Sequence, residues 1–309
     1  MKYLKRVINI LVIYEVRFLL RLLGSAEYLL NLVIRLDWKG RPRLNPNVLT
    51  AQDKISLLDI GARGGLPSWF LPYQENLDVY YVEPDSTACF GRDVVAKSHV
   101  IKKGLSNYTG VAELKITRSP GGSSLYSPTG AWRDFYAKNL EDWEVVETQK
   151  IEVTTIGEAL RGVEVDILKI DVQGGEFDVI EGLGEVRPFL IYCEVSGIEL
   201  YEKQQTVYEV TAKLRSLGYM LANNRMYYSS TPVNNIFRST IQTHGDCVFI
   251  PDFLSGGYII ERNYKRFVQC LCIAGLSDFV AYYLRKGAIV PSDEISYLIK
   301  HTDFFFDPF

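Results

Sequence analysis

The stretch Ile55-Ser56-Leu57-Leu58-Asp59-Ile60-Gly61-Ala62-Arg63-Gly64-Gly65 decides the fold. Its first six residues form a short apolar run ending in Asp59-Ile60, which predicts a parallel strand buried on both faces. The run then breaks into glycines, which let a backbone approach a ligand closely and adopt angles that a Cβ forbids. The spacing Gly61…Gly64-Gly65 departs from G-x-G-x-x-G, so a dinucleotide fingerprint is poorly matched. Taken alone, the loop is a weak signal and is more simply read as a plain strand-to-helix turn.

Two further stretches give it meaning. Val79-Tyr80-Tyr81-Val82-Glu83 places an acid at the end of the next apolar run, about 20 residues after the loop, where a carboxylate can accept both hydroxyls of a ribose. Loop and acid together imply an adenosine-containing ligand, and both NAD and S-adenosylmethionine fit at this point. Asp166-Ile167-Leu168-Lys169-Ile170-Asp171-Val172-Gln173-Gly174-Gly175-Glu176 then puts acids and an amide just past the end of another strand. In open α/β sheets that edge is where ligands sit. Asp171 is the stronger site candidate, because the plainer reading of Glu176 is a negative charge at a helix N-terminus.

The surrounding chain alternates strand and helix. Apolar runs at 55–60, 79–82, 99–102, 165–170 and 189–195 read as strands, and 219–222 and 247–250 supply two more. Phe177, Ile180 and Leu183 keep helical spacing, as do Val207, Val210, Leu214 and Leu217 ahead of the stop at Gly218. This order predicts an α/β doubly wound sheet. Residues 106–155 are a long excursion, with strand-like pieces at 112–117 and 150–155, and read as a lid or substrate-facing insert. Its aromatics Trp132, Phe135, Tyr136 and Trp143 suit sugar stacking or the insert's own core equally.

The combination Asp59-Ile60-Gly61-Ala62…Gly65, Val82-Glu83-Pro84, Gly104-Leu105-Ser106, Ser123-Ser124-Leu125, Lys169 to Glu176 and His244-Gly245-Asp246-Cys247-Val248-Phe249 resembles the FkbM-type methyltransferases over roughly residues 55–250. The resemblance implies a class I methyltransferase, Rossmann-like doubly wound sheet with helical N- and C-terminal extensions. It also implies S-adenosyl-L-methionine as cofactor and a hydroxyl of a glycan or related polyhydroxylated small molecule as acceptor. On that likeness Asp59, Gly61, Ala62 and Gly65 hold the amino-acid half of the cofactor and Glu83 its ribose. Leu105 and Ser106 lie near the adenine, and Asp171 and Gln173 line the cleft between cofactor and acceptor. The family usually carries Glu at the position of Gln173, and an amide takes no proton at neutral pH. Thr155-Ile156-Gly157 lacks an Asp often found there, and Pro67 and Pro72 predict a short or irregular first helix.

Methylating an aliphatic hydroxyl calls for a general base. Asp171, Glu176 and Glu194 are the catalytic candidates, with His244 behind them; His99 and His301 read as structural or exposed. No cluster has the spacing of a dedicated transition-metal site, although Asp171 and Glu194 are of the type that holds Mg²⁺. An NAD-type oxidoreductase or nucleotide-sugar enzyme would need a catalytic Tyr/Lys or Cys/His set that the sequence does not show. The competing reading is a non-catalytic methyltransferase-fold scaffold that docks to a membrane or protein partner.

The chain of 309 residues is 47% hydrophobic and 23% charged, with a net charge of −3, so no global basic field points to nucleic acid. Cys89, Cys193, Cys247, Cys270 and Cys272 are scattered and read as reduced, buried thiols of a cytoplasmic protein, not a zinc site. Charges interrupt the apolar residues of 1–36 well before a membrane span, and no secretory cleavage site follows. That basic segment reads as a helical cap, or as an amphipathic contact with a partner or the inner membrane surface. The division expected is therefore 1–54 as helical extension and linker, 55–252 as the methyltransferase domain, and 253–309 as a C-terminal helical extension. The last reads as two or three helices plus an apolar Phe304-Phe305-Phe306 tail. Nothing in the sequence signals an oligomeric state.

Overall fold

In the computed structural model, the residues described are 43–85, 97–131, 140–228, 241–252 and 258–302. The expectations for residues 1–36, Cys89, Trp132, Phe135, Tyr136 and the Phe304–Phe306 tail lie outside them. The strands are β1 (Ile55–Ile60), β2 (Leu77–Val82), β3 (Lys97–Ile101), β4 (Gly104–Leu105), β5 (Gly110–Thr117), β6 (Val145–Thr154), β7 (Ile167–Ile170), β8 (Leu190–Ser196), β9 (Tyr219–Tyr228) and β10 (Gln242–Pro251). The helices are α1 (Ile156–Ala159), α2 (Glu176–Glu181), α3 (Val207–Ser216), α4 (Tyr258–Glu261), α5 (Tyr264–Ile273), α6 (Ser277–Arg285) and α7 (Asp293–Lys300).

Seven strands form one sheet in the order β3-β2-β1-β7-β8-β10-β9. β1, β2, β3, β7 and β8 run parallel, and β10 is antiparallel to both of its neighbours. This is the class I methyltransferase arrangement, a doubly wound sheet with one reversed strand near an edge. Because β10 reverses, its first residues return to the carboxyl edge of the parallel strands. The order turns back on itself between β1 and β7, so the crevice above those two strands is the topological switch point where ligands bind.

Local chemistry explains the main elements. β1 is apolar at four of its six positions and buried on both faces, as a central parallel strand requires. Between β1 and β2 there is no α-helix: Pro67 and Pro72 leave only turns and a 3-10 segment, Leu71–Asn76. α3 starts at Thr206, whose N–H donates to the Glu209 carboxylate at 2.8 Å. It ends before Gly218, which takes the left-handed conformation (φ +87°).

The insert folds as a second sheet, β4-β6-β5, with its own small core of Leu114, Ile116, Ile151 and Val153. Among the described residues the C-terminal region holds four helical segments, and they share the main core. Phe267, Leu271, Val280 and Tyr283 are buried in the same cluster as Ile55, Leu168 and Phe249. Asp166 accepts from Arg266 at 2.8 Å and faces Arg262 at 3.4 Å, while Asp53 accepts from Gln269 at 2.8 Å and faces Lys265 at 3.1 Å. Residues 43–54 are likewise fixed: Leu44 is buried, bridges Thr302 and donates its N–H to the Cys272 carbonyl at 3.0 Å. Cys193, Cys247, Cys270 and Cys272 are buried free thiols. Among the described residues no helix is long and apolar enough to cross a membrane.

Candidate active site

A cleft of about 220 Å³ opens above the carboxyl ends of β1, β2 and β7 and is walled on its far side by the insert. Gly61, Glu83, Leu105, Ser106, Asp171 and Gln173 line it, so six of the nine residues expected to hold the cofactor meet there. The other three lie behind the wall. Ala62 is buried, and the Gly65 N–H closes the turn by donating to the Ala62 carbonyl at 3.0 Å. Asp59 is 0% exposed and faces the Lys169 ammonium at 3.0 Å. Burial pushes the Asp59 carboxyl up and Lys169 offsets this. Burial also opposes the Lys169 charge, yet Asp59 and Asp171 hold it above its ordinary value, so the ionised pair is the arrangement the 3.0 Å contact supports.

Gly61 has a steric reason to be glycine. Its φ is +76°, and a Cβ there would meet the Asp171 carbonyl oxygen at 1.8 Å. The glycine therefore lets the β1 loop and the β7 loop pass close together at the switch point. Glu83, at the end of β2, accepts from the Asp85 N–H at 2.9 Å. Burial raises its pKa, and the Asp85 N–H and Arg63 partly offset this. Arg63 ion-pairs with Asp85, and both reach the same cleft.

The β7 loop carries the acids. Gln173 is a non-glycine residue held at φ +58°, and Gly174 follows at +106°. This consecutive left-handed pair turns the chain sharply into α2. Glu176 satisfies the turn from below: its carboxylate accepts from the Val172 N–H at 3.2 Å and the Gly174 N–H at 3.0 Å. Burial still pushes its pKa up to about 7. Glu176 does not border the main cleft; with Glu194 it lines a smaller cavity beside it, where its carboxylate holds the turn.

Asp171 and Glu194 are joined by an amide. Gln173 Nε2 donates to Asp171 Oδ1 at 2.9 Å and to Glu194 Oε2 at 2.6 Å. The two carboxyl groups are also hydrogen-bonded to each other, and they titrate in opposite directions. Burial raises Asp171, but Lys169 (3.6 Å away), the Glu194 hydrogen bond and the Gln173 amide outweigh it and bring the group below the usual range. The Asp171 side chain is 37% exposed, so cleft water screens part of this. Burial and then the Asp171 charge push Glu194 well above its ordinary range. The pair is thus poised to share one proton, with Glu194 the weaker acid of the two.

Glu194 and His244 border a smaller cavity next to the cleft, with Gln173 lining both. Burial lowers the His244 pKa, with Asp171 pulling the other way. His99 bonds Asp78 at 3.1 Å and stacks on Tyr80, and His301 is at the exposed end of α7, so neither reaches the site. Among the described residues no group of three or more His, Cys, Asp or Glu is arranged to hold a metal ion.

Residues 59–221, just over half of the chain, match the methyltransferase FkbM domain. The chain belongs to the FkbM methyltransferase family. This FkbM methyltransferase also resembles the solved precorrin-6y C5,15-methyltransferase of Geobacter metallireducens GS-15. The two are 13% identical over 64% of this chain and 81% of that one, with a TM-score of 0.32. None of the curated proteins matches the FkbM chain significantly in sequence.

Several residues that shape the FkbM site carry no sequence signal of their own. Tyr201 lies on a loop after β8 and places its hydroxyl 3.0 Å from both Gln173 Oε1 and the Gly122 carbonyl. Tyr126, on the insert, hydrogen-bonds Asp178 of α2 at the cleft wall. The Ser123-Ser124-Leu125 motif beside it does line the cleft, which is the one signal that points to this strap.

Proposed function

We propose that this FkbM methyltransferase uses S-adenosyl-L-methionine to methylate a hydroxyl oxygen of a glycan or related polyhydroxylated acceptor. The observation that carries this reading is one cleft containing both a buried ribose-type carboxylate, Glu83, and an ionised strand-end carboxylate, Asp171. The residues fit the cofactor in character. Leu105, Leu114, Leu125 and Ile151 give an apolar wall for a purine, with the buried Ser106 beside it, and Glu83 offers carboxylate lone pairs to a diol. When bound, the sulfonium supplies an electrophilic methyl group and departs as a thioether.

The chain's own residues do the rest. The glycine loop and Glu83 fix the cofactor along the sheet edge, and such alignment is worth up to about 7–11 kcal/mol in intramolecular analogues. Asp171 takes the proton of the attacking hydroxyl, while Gln173 and the protonated Glu194 hold its carboxylate in place. General-base assistance of this kind contributes roughly 10²–10⁴-fold.

The test is transfer of labelled methyl from the cofactor to a pooled glycan fraction, followed by alkali. Alkali-stable label supports an ether-linked O-methyl group. Label released by alkali indicates an ester, and no transfer to any glycan removes the acceptor class. A non-catalytic scaffold is the second reading, favoured by Gln173 standing where the family usually has an acid. It predicts that S-adenosylhomocysteine does not bind.

A further inference from the structure

The carboxyl edge of the sheet continues past the catalytic pair as a row of charged residues. Ile170 of β7 pairs with Cys193 of β8, so Asp171 and Glu194 follow side by side. Glu194 pairs with Asp246 of β10, and Asp246 pairs with Arg225 of β9. Directly paired residues share a face, so this register places Asp171, Glu194, Asp246 and Arg225 in one line. The methyltransferase reading uses the first two and leaves the far end unexplained.

That far end is built around the guanidinium. Arg225 Cζ lies 5.5 Å from the centre of the Tyr227 ring, and Tyr227 stacks on His244 with centroids 5.0 Å apart and planes 24° apart. His244 in turn lines the small cavity shared with Glu194 and Gln173. A cation held over an aromatic face is pre-organised, and its N–H edge remains for planar, bidentate anions. Among the described residues Arg225 makes no ion pair within 4.0 Å and its Nε is buried without a hydrogen-bond partner, and Asp246 acts on it only at longer range.

We propose that Arg225, set by Tyr227 and His244, is an acceptor subsite for an anionic group, a carboxylate, sulfate or phosphate, on an extended polyhydroxylated acceptor. Three strand spacings of about 4.8 Å separate the β7 and β9 positions, about 14 Å in all. The anion and the methylated hydroxyl therefore sit on different units of the acceptor, not on one sugar ring. The subsite rests on the methyltransferase reading and deepens it.

The experiment is calorimetric titration of the full chain, saturated with S-adenosylhomocysteine, with disaccharides matched except for one carboxylate, sulfate or phosphate against the neutral parent. The expected result is about tenfold or greater preference for at least one charged arm, the scale of one charge-assisted hydrogen bond. Arg225→Ala and Arg225→Gln should erase the preference and Arg225→Lys should keep part of it, with S-adenosylhomocysteine affinity unchanged in all three. The arm that binds tightest identifies the anion. Equal binding of charged and neutral arms, binding of none, or a preference that survives Arg225→Ala overturns the subsite. Failure of wild type to bind S-adenosylhomocysteine overturns the methyltransferase reading itself, so the two failures are distinguishable.

Discussion

Tyr201 Oη sits 3.0 Å from Gln173 Oε1 and 3.0 Å from the Gly122 carbonyl, so one hydroxyl ties the Gln173 amide to the insert. The amide oxygen faces that hydroxyl, and its NH₂ faces Asp171 and Glu194. One amide then bridges two carboxyl groups, from a backbone conformation costing about 1–3 kcal/mol. Tyr201→Phe should free the amide to flip. A lost hydrogen bond of about 0.5–1.5 kcal/mol corresponds to a kcat lower by roughly 2–10-fold. Steady-state kinetics should show this in kcat while S-adenosylhomocysteine affinity stays constant.

Asp171 and Glu194 should respond very differently to neutralisation. Asp171→Asn removes the ionised base and should cost roughly 10²–10⁴-fold in kcat. Glu194 already carries the shared proton, so Glu194→Gln should cost less than about tenfold. A larger loss in Glu194→Gln than in Asp171→Asn would reverse the assignment.

The same pair sets the pH profile. On the proposed mechanism, activity requires Asp171 ionised, which its lowered pKa favours, and Glu194 protonated, which its raised pKa favours above the ordinary carboxylate range. The rate should therefore rise at low pH, hold, and fall once Glu194 loses its proton. Glu194→Gln should lose the alkaline fall and keep the acid limb, as read from kcat against pH.

Glu176 predicts a stability effect separate from catalysis. Its folded-state pKa of about 7 stands above the ordinary 4.5, so the folded protein binds this proton more tightly than the unfolded chain. The stability it contributes is complete below about 4.5 and is lost as pH rises to about 7, on the order of 3 kcal/mol. Thermal melts from pH 4.5 to 7.5 should show wild type losing stability relative to Glu176→Gln across that window. Parallel curves would contradict the assignment.

Much of this was legible in the sequence, for physical reasons. Buried parallel strands are apolar runs with sharp ends, so Ile55–Ile60 is read to the residue and the 207–217 helix to within one. Glu83, Asp171 and the glycine turn follow from where open sheets bind ligands. Asp59 was not legible, because a strand-end acid can face either the cleft or a buried Lys169, and only packing decides. Glu176 looks the same in sequence whether it faces solvent, substrate or its own turn. The 258–302 helices read as an appendage because their periodicity does not say that Phe267 and Tyr283 complete the main core. Arg225 sits in a strand whose register with β10 no local pattern reveals.

The most direct test of the cofactor site is calorimetric titration of the purified chain with S-adenosylhomocysteine, in wild type and Glu83→Ala. The site described here predicts micromolar binding to wild type that disappears in Glu83→Ala, with both proteins folded. Near-normal affinity in the variant, or no binding to folded wild type, would contradict it.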